Sequence, residues 1–149
     1  MTEYLLQKGQ IVVATARKPE VLDDLKAKYS ASQFITVGLD VDKAQDIKEA
    51  FATAKQTFGR IDVVFSNAGW FTFAEVEAHP EDQARKMFDT NFWGSANVSR
   101  EAVRFFREEN KPCGGRLLVN SSMTGIRATA GMAYYSASKH GTRFSTNFA

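Results

Sequence analysis

The amino-acid sequence predicts an α/β fold built on a doubly wound parallel sheet. Short apolar, β-rich runs alternate along the chain with longer stretches whose apolar side chains recur at helical spacing. Strands separated by such helices imply β-α-β units with right-handed crossovers, and therefore parallel strands. Polar residues also follow each predicted strand, where open parallel sheets bind their ligands. These residues are Arg17, Asp40, Asn67, and Ser121 with Ser122.

Four apolar runs are predicted to be strands, at residues 11–16, 34–39, 61–66 and 116–120. The first run, IVVATA, has the uninterrupted apolar character of a strand buried on both faces. The third run, IDVVFS, leads directly into Asn67, and the fourth, RLLVN, follows a break at residues 113–115. A parallel arrangement would bring the polar residues after these strands to one edge of the sheet.

Helices are predicted between the strands, starting with residues 19–29, where Pro19 suits a first helical position. Residues 44–58 place Ile47, Phe51 and Ala54 on one face, and Gly59 is a stop signal. One long helix is expected over residues 81–109, and another begins at Ala133. The long helix has an apolar stripe made of Met87, Phe88, Val98, Ala102 and Phe105.

Composition favours a cytoplasmic globular chain, and 149 residues suit a single domain or part of one. A net charge of +2 gives no electrostatic case for nucleic acid or an acidic membrane surface as partner. No apolar run approaches the roughly 18 residues that a membrane helix needs. With a single cysteine, Cys113, and two histidines, neither a disulfide framework nor a metal site is expected.

The pair Tyr135 and Lys139 places a phenol and an ammonium four residues apart on one predicted helical face. A phenol has an ordinary pKa of about 10, and a nearby cation favours its ionised form, which eases proton exchange at neutral pH. The motif alone is weak, because one Tyr-x-x-x-Lys arises by chance in about a fifth of such chains.

The context of this pair resembles the short-chain dehydrogenase/reductase family over essentially all 149 residues. Ser122 lies thirteen residues before Tyr135, and Asn91 lies twenty-four residues after Asn67. The matching segments occur in the order and at the spacing of the family: IVVATAR (11–17), LDV (39–41), NAG (67–69), Asn91, VNSS (119–122) and YSASK (135–139). The resemblance implies a Rossmann-like sheet.

The resemblance also implies a catalytic role for four residues. Tyr135 would be the acid/base that exchanges a proton with a carbonyl or alcohol oxygen, and Lys139 would lower its pKa and bind the nicotinamide ribose. Ser122 would hold the carbonyl oxygen and stabilise the charge that develops there, whereas Ser121 would face the opposite side. Asn91 would kink its helix and anchor a water that relays protons to Lys139. Alternatively, Asn91 is a capping or helix-surface amide.

Cofactor preference can be argued from charge. In NAD enzymes of this fold an acidic residue ends the second strand of the fold. The run 11–16 corresponds to that strand here, and it ends in Ala16, followed by Arg17 and Lys18. A guanidinium can bind a 2′-phosphate with two parallel hydrogen bonds, so NADP(H) is favoured. Arg17 could instead be a solvated strand-end charge.

Three further residues are carried over to the cofactor site. Asp40 resembles the family residue that contacts the adenine amino group, with Val41 beside the ring, although Asp40 could simply cap the next helix. Asn67 is counted with the cofactor-binding residues, but the family uses it mainly to tie strands together and we assign it no chemistry. After it, Trp70, Phe71 and Phe73 could line an apolar substrate pocket or pack in the core.

The chain departs from the family pattern at both ends, and we expect it to be truncated. The glycine-rich turn that binds the pyrophosphate is not found, residues 2–9 resemble the second half of the helix after that turn, and the sequence stops inside the Lys139 helix. In the family strand order 3-2-1-4-5-6-7, the four strands here are the second to fifth. Without the first strand, runs 11–16 and 61–66 would face a gap of about 9–10 Å or close on each other.

Two functions related to this family therefore stay open, beside a binding module that would act through dimerisation of the helix at 81–109. One is an NADP(H)-dependent oxidoreductase that acts on a small-molecule secondary alcohol or ketone, with no metal. The other is an inactive truncated remnant, or an incomplete gene model, of such an enzyme. The resemblance further implies a homo-oligomer built through the helices at 81–109 and 133–149.

Overall fold

The computed structural model describes residues 1–145. Helices and strands alternate along this part of the chain, as the sequence predicts. In chain order the elements are α1 (Thr2–Gln7), β1 (Val12–Ala16), a 3-10 turn (Pro19–Leu22), α2 (Asp23–Lys26), β2 (Phe34–Gly38), α3 (Ala44–Phe58), β3 (Val63–Ser66), α4 (Glu81–Phe88), a π turn (Asp89–Gly94), α5 (Ser95–Glu108), β4 (Arg116–Val119), a 3-10 turn (Met123–Gly125) and α6 (Ala133–Ser145).

The described chain forms two compact units, and the first comprises residues 1–60. Its strands β1 and β2 pair in parallel with Val12 opposite Phe34 and Ala16 opposite Gly38. A small core forms around Leu6 of α1 and Phe34 of β2, both almost fully buried. Helix α3 buries the predicted apolar face, which includes Ile47, and burying one such side chain contributes about 1.5–3 kcal/mol.

The second unit starts at Ile61. Its strands β3 and β4 also pair in parallel, with Val63 opposite Arg116 and Ser66 opposite Val119. Helices α4, α5 and α6 pack around the π turn, and α5 packs on both strands. Four of the five residues predicted for the apolar stripe are buried: Met87, Val98, Ala102 and Phe105. The fifth, Phe88, is half-buried, and Phe106 is buried as well.

The fold class is confirmed: both sheets are parallel, and helices connect their strands. The four described strands form two separate two-stranded sheets, β1–β2 and β3–β4. The chain thus has the incomplete doubly wound α/β fold that the sequence predicts.

Three sequence expectations need correction. Strand β1 is not buried on both faces, because only Ala14 is fully buried and Thr15 is exposed. The predicted helix 19–29 becomes a 3-10 turn followed by a short α2 that ends at Lys26. A Pro at the first position fixes one backbone angle, but the following residues make only one turn each of 3-10 and α-helix.

The predicted long helix is also not regular. Residues 81–108 are helical, but the π turn at Asp89–Gly94 separates α4 from α5. The resemblance predicts a kink at Asn91, and the irregularity lies there.

Residues 146–149 of the predicted last helix lie outside the described residues. No helix in residues 1–145 is both long and apolar enough to cross a membrane.

Candidate active site

Lys139 lies on α6 with its side chain buried in the second unit. Only 3% of the residue is exposed, and its Nζ donates a 2.9 Å hydrogen bond to the main-chain oxygen of Asn120 after β4. The same Nζ lies 5.9 Å from the ring centroid of Tyr135, one helical turn earlier. Burial lowers the pKa of Lys139 because a desolvated ammonium is less favourable than a neutral amine.

Asn91 occupies the π turn and is completely buried. Its Oδ1 accepts a 2.9 Å hydrogen bond from the amide of Trp70, and its Nδ2 donates to the carbonyl of Trp70 at 2.9 Å. The same Nδ2 donates to Ser138 Oγ at 3.1 Å, and Ser138 in turn donates to the carbonyl of Tyr135. The alternative of a helix-surface amide is therefore wrong, and π turns of this kind are frequent at functional sites.

Gly69 brings Asn91 and Lys139 to one place. A Cβ atom added at Gly69 would lie 3.0 Å from Asn91 Oδ1 and 3.2 Å from Lys139 Nζ. Both polar groups thus border the same stretch of backbone, and a Cβ atom there would require one of them to shift by a few tenths of an ångström.

Ser122 follows β4 and begins the 3-10 turn Met123–Gly125. Its Oγ accepts two hydrogen bonds from Thr124, one from the amide at 3.2 Å and one from the hydroxyl at 3.0 Å. A serine hydroxyl has two lone pairs and one hydrogen, so these two bonds leave its hydrogen for donation. Ser122 is therefore oriented as a hydrogen-bond donor.

The 3-10 turn that starts at Ser122 packs against α6. A Cβ atom added at Gly125 would lie 2.9 Å from the main-chain oxygen of Lys139, and Ser121 Oγ lies 3.5 Å from that oxygen. Ser121 thus contacts the backbone of α6, whereas Ser122 bonds to its own turn. This packing places the Ser122 turn and the Lys139 helix in direct contact.

Asn67 and Asn120 join the carboxyl ends of the two strands of this unit. Asn120 Nδ2 donates a 2.8 Å hydrogen bond to Asn67 Oδ1, and the main-chain oxygen of Asn120 accepts the bond from Lys139. Asn67 thus links strand ends, as expected for a residue that ties strands together.

Two of the three aromatic residues after Asn67 are not core residues. Phe71 and Phe73 are 53% and 70% exposed, so core packing is wrong for both. The Phe71 ring lies 5.4 Å from the Tyr135 ring, and Phe73 covers Gly131. Trp70 is half-buried and donates from its indole to Thr90.

The remaining predicted cofactor residues lie in the first unit. Arg17 and Lys18 are exposed directly after β1, and Leu39 after β2 donates to the carbonyl of Ala16 at 3.0 Å. Asp40 therefore follows β2 at the same sheet edge as Arg17. The carboxylate of Asp40 accepts from the amide of Asp42 in a local turn.

The alternative in which Asp40 caps α3 is not what the structure has. The N-cap residue of α3 is Lys43, and its side chain makes no capping bond. Val41 is half-buried beside Asp40. In the second unit, His140 Nδ1 donates a 2.8 Å hydrogen bond to the carbonyl of Ser136, one turn earlier on α6.

A family model, short chain dehydrogenase, matches residues 1–148 of the chain. The chain belongs to the short-chain dehydrogenase family. Proteins of this family are oxidoreductases that bind nicotinamide cofactors. The Rossmann-like fold expected from the sequence is accordingly confirmed.

Known members share this part of the short-chain dehydrogenase fold. An uncharacterised oxidoreductase of Schizosaccharomyces pombe is 33% identical over 134 residues, which are 90% of this chain and 44% of that protein. The crystal structure of a short-chain dehydrogenase from Streptomyces avermitilis has a TM-score of 0.89 and 30% identity, and the match covers 99% of this chain and 54% of that one.

The structure of ElxO with NADP bound shares the fold with a TM-score of 0.83 at 23% identity, over 94% of this chain and 56% of that one. The chain thus spans about half the length of the solved and curated short-chain dehydrogenases it matches.

Sequence reasoning missed several residues that contact the predicted site of this short-chain dehydrogenase chain. Asn120 accepts from Lys139, Thr124 orients Ser122, and Ser138 bonds Asn91. Each lies within three residues of a predicted site residue, but Ser, Thr and Asn are common in turns and helix caps. Their position in the sequence therefore did not distinguish them.

Proposed function

We propose that this chain provides the acid/base site of an NADP(H)-dependent oxidoreductase that transfers a hydride between a secondary alcohol and a ketone. The observation that carries the proposal is the buried ammonium of Lys139, 5.9 Å from the ring centroid of Tyr135. The Tyr135 hydroxyl would exchange the proton with the substrate oxygen, and this nearby cation would stabilise negative charge that forms on the tyrosine oxygen during the exchange.

Ser122 complements this proton exchange. Because Thr124 occupies both lone pairs of its hydroxyl, Ser122 offers its hydrogen to an acceptor atom. A carbonyl oxygen, or the alkoxide-like oxygen of the transition state, is such an acceptor. Donation to an oxygen whose negative charge grows during the reaction stabilises the transition state more than the ground state.

The residues of α6 and its surroundings fit a nicotinamide ribose. An ammonium has three hydrogens, and the bond to Asn120 uses one of those of Lys139, so the others can bind ribose hydroxyls. Gly69 leaves the backbone beside Lys139 and Asn91 free of a side chain. When bound, NADP(H) would supply or accept the hydride. Asn91 would hold Trp70 and α6 in place, and a proton relay through a water on Asn91 stays part of the proposal.

We assign NADP(H) rather than NAD(H) from the charge at the end of β1. Arg17 and Lys18 are exposed there, and no carboxylate stands at positions 16–18 to repel a 2′-phosphate. Asp40 and Val41, at the same sheet edge, are proposed to contact the adenine. A guanidinium that binds a phosphate through two hydrogen bonds is a stronger and more specific partner than a solvated charge.

Tyr135→Phe tests the chemistry. The substitution removes only the hydroxyl and keeps the ring that packs on Phe71, so NADPH affinity in a fluorescence titration should stay within about twofold while turnover of alcohol–ketone pairs falls by at least about 100-fold. Tyr134→Phe is the matched control, because Tyr134 is the neighbouring residue and packs on His79 instead.

Other outcomes decide against the proposal. Equal loss of NADPH affinity and turnover in Tyr135→Phe would make Tyr135 a structural residue. If the unaltered chain neither binds NADPH nor turns over any alcohol–ketone pair, the remnant alternative replaces the enzyme for this chain.

A further inference from the structure

A second hydroxyl on α6 contacts the main chain of Asn91. Thr142 Oγ1 donates a 3.0 Å hydrogen bond to the main-chain oxygen of Asn91, in the π turn. Both residues are buried, with 1% of Thr142 and none of Asn91 exposed. The contact joins positions 51 residues apart in the chain, so it is a tertiary link between α6 and the π turn and not a local helix bond.

Thr142 works together with Ser138. The two residues are four apart and therefore share one face of α6, and Ser138 Oγ accepts from the carboxamide of Asn91 at 3.1 Å. Asn91 is thus bound to the helix by both its side chain and its main chain. Lys139 lies between the two contacts in sequence, and its Nζ and Asn91 Oδ1 approach the same point beside Gly69.

The position of Lys139 relative to Asn91 therefore depends on both bonds. The Thr142 hydroxyl also lies 2.9 Å from the carbonyl of Ser138, a local alternative that many helical threonines use. A side chain of the same shape without the hydroxyl would fill the same space but would leave the carbonyl of Asn91 without this donor. The π turn could then move relative to α6, and water could reach Lys139.

We propose that Thr142 is a positioning residue of the site: its hydroxyl holds the main-chain carbonyl of Asn91 against α6 and so fixes the desolvated place of the Lys139 ammonium. The expected effect of Thr142 on turnover rests on the function proposed above, whereas its expected effect on Lys139 does not. Thr142 touches neither substrate nor cofactor in this assignment and acts through Asn91 and Lys139.

The test compares Thr142→Val, which keeps the shape and loses the hydroxyl, with Thr142→Ser, which keeps the hydroxyl. The probe is the Cε resonance of Lys139 in the full chain labelled with ¹³C-lysine, assigned with Lys139→Met and followed with pH. Thr57→Val is the matched control, because Thr57 also donates to the carbonyl four residues earlier in a helix but is exposed and lies on α3.

In Thr142→Val, the pKa of Lys139 should rise toward its ordinary value by about half a unit or more, since water replaces part of the protein around the ammonium. Thr142→Ser and Thr57→Val should titrate like the unaltered chain. Where turnover is measurable, Thr142→Val should lower kcat about tenfold and also raise KM for NADPH, because Lys139, which supports the proton exchange of Tyr135 and would bind the nicotinamide ribose, is misplaced.

An unchanged Lys139 titration in Thr142→Val would overturn the proposal, even if the variant is less stable, because stability alone is what a merely structural threonine would provide. If Thr142→Val does not fold, Thr142→Ala removes the hydroxyl without a branched side chain and is read in the same way. A chain that never turns over substrate would defeat the proposed function, whereas the titration would still decide the role of Thr142.

Discussion

The carboxamide of Asn91 exchanges two hydrogen bonds with the main chain of Trp70, accepting from its amide and donating to its carbonyl, each at 2.9 Å. This pairing fixes the backbone that follows Gly69 against the π turn. It also explains why the space beside Gly69 is so restricted, since Asn91 Oδ1 and Lys139 Nζ both border it.

Gly69→Ala should therefore disturb the site while leaving the core intact. The added Cβ would force Asn91 Oδ1 or Lys139 Nζ aside, and we expect NADPH affinity in a fluorescence titration to fall about tenfold. An NADPH affinity that Gly69→Ala leaves unchanged would contradict the placement of the cofactor beside Gly69.

The buried Lys139 predicts a pH-dependent stability. Burial lowers the pKa of Lys139 in the folded state below the ordinary 10.5. At pH values where Lys139 is protonated in both the folded and the unfolded state, the buried ammonium therefore lowers the free energy of unfolding by its full amount. As pH rises from the folded-state pKa toward 10.5, the folded state releases its proton first and the cost is relieved.

The free energy of unfolding of the unaltered chain should thus rise relative to that of Lys139→Met across this window, by about 1.4 kcal/mol for each unit of lowering. Urea unfolding of both proteins at several pH values measures the difference. A difference that stays constant with pH would mean that Lys139 is not desolvated. Lys86→Met is a suitable control, because Lys86 is exposed on α4.

Thr124→Val should weaken catalysis through Ser122. The variant removes one of the two hydrogens that Ser122 Oγ accepts, so the serine hydroxyl can rotate and donate its own hydrogen elsewhere. We expect kcat/KM for a ketone to fall about tenfold, less than for loss of a whole donor. Thr129→Val, in the exposed segment before α6, should have no effect, and an equal loss in both variants would argue against an oriented Ser122.

Arg17→Ser should shift cofactor preference. If Arg17 binds the 2′-phosphate, the ratio of NADPH to NADH affinity should fall at least about tenfold, because a bidentate charged contact is lost. Arg107→Ser, an exposed residue of α5, controls for the change in net charge. An unaltered ratio would indicate that Arg17 is a solvated strand-end charge and would leave NADP unsupported.

Local pattern predicted most elements well, and α3 shows why. Its apolar residues recur at helical spacing and Gly59 ends it with a positive φ, so the predicted bounds 44–58 are those observed. The long helix was less predictable. Nothing in its apolar stripe distinguishes a π turn from α-helix at Asn91, because the turn depends on partners that lie elsewhere in the chain.

The prediction that β1 is buried on both faces was wrong for a related reason. The run IVVATA is apolar enough for a strand covered on both faces, but whether it is covered depends on which strands and helices pack on it. In the described chain β1 pairs with β2 alone and Thr15 is exposed.

By itself, the sequence determined the α/β alternation and the family, because these follow from spacing and residue type, and it predicts the site residues from Arg17 to Lys139. Only the tertiary structure decided that Asn91 is buried between Trp70, Ser138 and Thr142. Hydrogen bonds between residues about 20 to 50 positions apart depend on the packing of whole elements, which no local pattern encodes.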